Sequence, residues 1–216
     1  MDSDNPVVRL CAQGMAAEGE GRADDARARF REAWDAATDD YEHCVAAHYL
    51  ARHQPTPEET RRWNQECLDR ADAVGDDRVR GFYASLHVNM GSAYRALGEA
   101  DQAREHYVRA AAHIGDVPAG PYADWTRFGI ADGLRTTREA EPEGGPLAAL
   151  VERLCAVGEL RALAVVLPPY VGDLGTDEDH ARLVTALRMV HAARWLPDGE
   201  QDALGAVIAE LMAVSG

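Results

Sequence analysis

The residues able to do chemistry in this 216-residue chain are few: four cysteines, eight histidines and three adjacent aspartate pairs. Cys44 and His48 stand four apart, which on a helix puts a thiol and an imidazole on one face at a ligand-compatible distance. A structural zinc takes four ligands, and Cys11, Cys67 and Cys155 supply no second pair at a suggestive spacing. The expectation is no metal. Asp24-Asp25, Asp39-Asp40 and Asp76-Asp77 could chelate a cation or share a proton. Each falls where a helix would start, and there carboxylates cap free N–H groups at the positive end of the helix dipole. A nucleophile triad needs Ser or Cys beside a base and an orienting group, and no Gly-x-Ser-x-Gly or phosphate-binding glycine loop occurs. All 22 basic residues are Arg, which removes Schiff-base and phosphate-loop lysine chemistry. No catalytic residue and no cofactor is assigned. The enzymatic alternative would centre on His180, His191 and Trp195.

The remaining bulk properties narrow the partners. A formal charge of −15 and a pI near 4.9 exclude the basic face that nucleic acid requires, and argue equally against an anionic membrane surface. Scattered cysteines without a framework, an acidic N-terminus and no long apolar run predict a cytoplasmic protein. With 46% apolar and 27% charged residues, the chain can bury a real core.

The elements that would position these side chains are helices, since apolar residues recur at three- and four-residue intervals and nowhere alternate. Helices are predicted over Pro6–Glu18, Asp24–Ala37, Asp40–His53, from Thr56-Pro57-Glu58-Glu59 onward, Arg78–Leu97, Ala100–Ile114 and Pro121–Arg138. The segment Glu139–Pro146 is acidic and rich in Pro and Gly, and reads as a linker. Four more helices are expected at 147–157, 159–167, 177–195 and 199–214.

A repeat lies within the first of these segments. Gly14, Gly21, Ala26, Phe30 and Ala33 and then Gly91, Gly98, Ala103, Tyr107 and Ala110 share the same internal spacings: seven, five, four and three residues. A small residue lets two helices cross closely, the turn Gly supplies a positive φ, and the aromatic fills the space behind. This pattern resembles the tetratricopeptide repeat over about residues 6–135. Ala84 to Ala112 and Val7 to Asp40 are the clearer copies. Tyr41 to Gly75 is a divergent one, with Ala46 and Tyr49, and Trp125, Phe128 and Gly129 match the start of a fourth. The resemblance implies an all-α fold of stacked antiparallel hairpins in a right-handed superhelix. The expected division is repeats over 1–140 and a C-terminal helical segment over 141–216 that caps the stack or forms a homodimer.

The resemblance also implies a function. First helices of the family line a concave groove, at the positions three before and one after the small residue. Carried over, these are Cys11 and Met15, His43 and Ala47, Val88 and Ser92, and Thr126 and Ile130, with Asn89 and Arg95 beside them. The expectation is a non-enzymatic scaffold that binds a peptide or helix of another protein through His43, Ala47, Val88, Asn89, Ser92, Arg95 and Thr126. The alternative is a sensor of a small peptide or metabolite that acts through protein contacts.

Overall fold

Residues 4–138 and 144–214 of the chain are described by a computed structural model, and among them every regular element is helical. The α-helices are α1 (Pro6–Gly19), α2 (Ala23–Ala36), α3 (Asp40–Ala51), α4 (Pro57–Val74), α5 (Asp77–Arg80), α6 (Tyr83–Ala96), α7 (Ala100–His113), α8 (Pro121–Thr136), α9 (Pro146–Val157), α10 (Leu160–Val171), α11 (Asp177–Ala193) and α12 (Asp198–Val214). Among the described residues, no helix is long and apolar enough to cross a membrane.

Their starts follow from local chemistry. The Asn5 side chain accepts the N–H groups of Val7 (2.8 Å) and Val8 (3.2 Å), with Pro6 in the first turn where its missing donor costs nothing. Asp39 accepts from the Glu42 N–H at 2.8 Å, and Asp76 from that of Arg78 at 2.9 Å. Asp24 and Asp25 lie in the first turn of α2. The aspartate pairs therefore serve helix starts. Thr56 and Thr176 cap α4 and α11 by accepting the N–H groups of Glu59 (3.3 Å) and Asp179 (3.1 Å).

The chain divides into two compact units after Gly133, within α8. The sequence-based boundary at residue 140, and most of the linker drawn around it, fall on residues 139–143, which lie outside the described residues. In the first unit, α1/α2, α3/α4 and α6/α7 form the most closely packed pairs, and α2 meets α3 as α4 meets α6. The two hairpins that share the repeat signature close in the same way. Gly21 and Gly98 have φ of 76° and 77°, a region costly for any residue with a Cβ. Around them the hydrogen bonds correspond one for one: Arg22 N–H to the Ala17 carbonyl at 2.9 Å, and Glu99 N–H to that of Tyr94 at 3.0 Å. Ala26, Phe30, Ala33, Ala103, Tyr107 and Ala110 are all buried.

The small residues have an identifiable task. A Cβ on Gly91 would stand 2.9 Å from the Tyr107 ring, and one on Gly14 would overlap the edge of the Phe30 ring. Gly133 of α8 closes on Tyr107 from another side in the same manner, a role the sequence did not disclose. Gly133→Ala is expected to destabilise the protein by about 1–3 kcal/mol. The overlap with a fixed aromatic ring outweighs the roughly 1 kcal/mol that Ala gains over Gly in a helix. A urea midpoint equal to or above wild type would show that this contact is not tight.

Two helix predictions need correction. Arg78–Leu97 is not one helix: α5 ends at Arg80, and Gly81 and Phe82 form a turn before α6. Val79 is fully buried, and the backbone near Asp116 and Pro118 comes close to Gly81. This turn lets both segments keep their apolar faces inward. The helix expected over 159–167 continues as α10 to Val171 through Pro168 and Pro169, and the Gly172 N–H still reaches the Pro168 carbonyl at 3.1 Å.

In the second unit α9, α10, α11 and α12 pack in sequence, and α12 returns to α9, which closes a four-helix bundle. Leu150, Leu154, Leu187 and Leu204 fill its centre with at most 2% exposure. The α9–α10 turn repeats the geometry of the first unit: Gly158 has φ 69°, and the Glu159 N–H bonds to the Leu154 carbonyl at 3.0 Å. Val151 stands where Gly14 and Gly91 stand relative to the turn Gly, which is why the signature is invisible there.

Candidate ligand-binding cleft

The first unit contains a cleft of about 730 Å³ that opens between α1, α3, the α5–α6 turn and the start of α8. One face of α3 forms its long wall, through Val45, His48, Tyr49 and Arg52 at helical spacing. Phe82, Ser85 and Leu86 of the α5–α6 region stand opposite, with Val117 and Pro118 of the following loop, Met15 of α1 and Tyr122 of α8. The thiols of Cys44 and Cys67 lie at the back, 3.7 Å apart. The cleft exists because α5 and Gly81 interrupt the chain between α4 and α6. A continuous helix from Arg78 would have no such turn.

The rim charges are mostly engaged with one another. Arg52 is 2.7 Å from Glu18, Arg80 is 2.7 Å from Asp77, and Arg78 is 2.9 Å from Asp76. Asp116 faces His113 at 3.4 Å. His48 differs: its ring meets the edge of Tyr49 with centroids 5.2 Å apart, and burial and then the Arg52 charge push its pKa down to about 4. It is a neutral imidazole at physiological pH. Burial raises Cys11 to about 11, and Cys67 is raised by its hydrogen bond to Cys44 and by burial, so neither thiol is poised as a nucleophile.

The residues predicted from the sequence are distributed differently. Ala47, Val88 and Thr126 are buried, as are Cys11 and Ile130, and serve the core between neighbouring helices. His43 packs edge-on against Trp34 at 4.6 Å, and its Nδ1 lies 2.8 Å from the Asp39 carbonyl. Asn89 and Ser92 line a separate pocket of about 350 Å³ with Gln54, Thr56, Thr60 and Asn64. Ser92 Oγ is 3.2 Å from the Tyr107 hydroxyl, and Arg95 is 3.2 Å from Asp132. Met15 alone of the carried-over positions faces the large cleft. On α3 the cleft wall lies on the side of the helix opposite His43 and Ala47, since residues two apart point about 200° away from each other. Gly81 is the one sequence signal for the cleft, and the helical spacing of the apolar residues on both sides of it hides the interruption.

The C-terminal histidines form no centre together. His180 and His191 stand about 16 Å apart along α11, and Trp195 lies beyond its end with 41% exposure. Among the described residues, no three His, Cys, Asp or Glu side chains are placed to hold a metal ion. Compared with protein-family models, with characterised proteins and with solved structures, the chain matches none.

Proposed function

We propose that the first unit is a non-enzymatic binding module of the tetratricopeptide type, which captures a short peptide segment of a partner protein in the large cleft. The observation that carries this reading is the cleft itself. Its volume falls within the roughly 300–1,000 Å³ of sites that hold small ligands. Its walls combine Met, aliphatic and aromatic side chains with a few polar groups, the composition that peptide-binding grooves use. The thiols of Cys11 and Cys67 are both held above their ordinary range, which supports binding over catalysis. The bundle of α9–α12 would then serve as a cap or a dimer contact. The scattered, unframed cysteines fit a cytoplasmic setting. A sensor that holds a small peptide or metabolite is the second reading, favoured by how far the cleft is walled in on several sides.

Selection of a phage-displayed random peptide library on the full chain tests the proposal. Met15→Arg and Tyr122→Ala alter exposed side chains at the cleft, so stability should change by less than about 0.5 kcal/mol. Both are expected to weaken selected peptides about tenfold, while Arg29→Ala and Arg104→Ala on α2 and α7 leave them unchanged. Loss of binding in Asn89→Ala and Ser92→Ala instead would move the site to the face with the smaller pocket. Exact-mass analysis of material co-purifying under native conditions separates a peptide from a metabolite.

A further inference from the structure

We infer that the cleft is built for an uncharged, chain-internal peptide segment, read through the imidazole of His48 and the hydroxyls of Tyr49 and Tyr122. This rests on the cleft being the binding site. Among the residues lining it, the charged ones and their neighbours are committed: Arg52 to Glu18, Arg78 to Asp76, Arg80 to Asp77 and Asp116 to His113. A terminal carboxylate entering here would lose water and find no uncommitted cation, and it would compete with Glu18, Asp76 or Asp77 for an arginine they already hold.

The uncharged groups are in the opposite situation. The side chains of His48, Tyr49 and Tyr122 make no hydrogen bond to any described residue. A neutral imidazole carries one donor and one acceptor, and each phenol can act as either. That is the set a peptide amide needs, since every backbone unit presents one N–H and one C=O. His48 keeps its neutral form because its pKa sits near 4, and burial first of all holds the Tyr49 phenol above its ordinary range, so it stays protonated. Val45, Leu86, Phe82 and Met15 provide the apolar surface between these groups for the segment's side chains.

The probes are N-acetyl-Leu-Trp-Leu-amide and the same acetylated tripeptide with a free C-terminal carboxylate, each titrated into the full chain by calorimetry. The amide should bind about tenfold more tightly than the carboxylate. His48→Phe and Tyr49→Phe, which keep ring shape, should each weaken the amide about five- to tenfold. Equal or tighter binding of the carboxylate, or no effect of the two variants on the amide, overturns this inference while the cleft remains the binding site. Binding of neither tripeptide, with library peptides that do need the cleft, also overturns it. If library selection yields no cleft-dependent binder either, the cleft reading falls with it.

Discussion

Ala103→Arg is expected to lower the stability of the first unit by about 4 kcal/mol or more, enough to unfold it at ordinary temperatures. Ala103 is fully buried where α7 crosses α6, one turn before Tyr107, and that ring is closed over by Gly91 and Gly133. An Arg side chain has no room there, and its guanidinium would be stripped of water. Either effect alone costs several kcal/mol. Gln102→Ala, on the exposed side of α7, is the matched control and should stay within about 0.5 kcal/mol of wild type. Urea denaturation followed by tyrosine and tryptophan fluorescence measures both. A midpoint for Ala103→Arg close to wild type would mean that the α6–α7 crossing is looser than the structure has it.

The second large effect is loss of stability in mild acid. His87 and His106 lie buried with their Nδ1 atoms 3.1 Å apart, an arrangement that needs at least one neutral ring to supply the lone pair. Burial and then the charge of His106 push the His87 pKa down to about 4, with His113 and Arg109 adding to the shift and Asp72 opposing it. Burial also lowers His106. The unfolded chain takes up its protons near 6.5, so between pH 6.5 and 4 it binds more protons than the folded one. Stability is therefore complete above about pH 6.5 and declines as the pH falls toward 4. The contribution from His87 reaches about 3 kcal/mol, and His48, likewise lowered to about 4, acts in the same direction. His87→Asn places an amide near the Nδ1 position and does not titrate, so the slope of stability against pH should flatten across this window. An unchanged slope in the variant would place the acid sensitivity elsewhere.

The helical class, the capped starts at Asn5, Thr56 and Thr176, and the two hairpins spaced around Gly21 and Gly98 are written in local chemistry. A hydroxyl or amide next to free N–H groups, or a Gly at a positive φ, does the same thing wherever the chain then goes. The small and aromatic positions of each hairpin were legible for a related reason, since the crossing of its two helices uses its own residues, although Tyr107 is also closed over by Gly133 of α8 and Phe30 also stacks on Tyr49 of α3.

The cleft depended on more than that. Its wall on α3, its gap at Gly81 and its closure by Tyr122 come from segments as far apart as Met15 and Tyr122, and no spacing within one segment encodes their meeting. Gly81 reads as an ordinary residue within a helical pattern until the backbone near Asp116 and Pro118 comes close to it. The side of α3 that faces the cleft was set by which side α2 and α4 cover, and a rotation of two residues was enough to exchange His43 and Ala47 for Val45, His48 and Tyr49. Local sequence thus determined which helices form and where they turn. Only the packing of distant helices decided which faces remain uncovered, because burial is shared among segments and belongs to none of them alone.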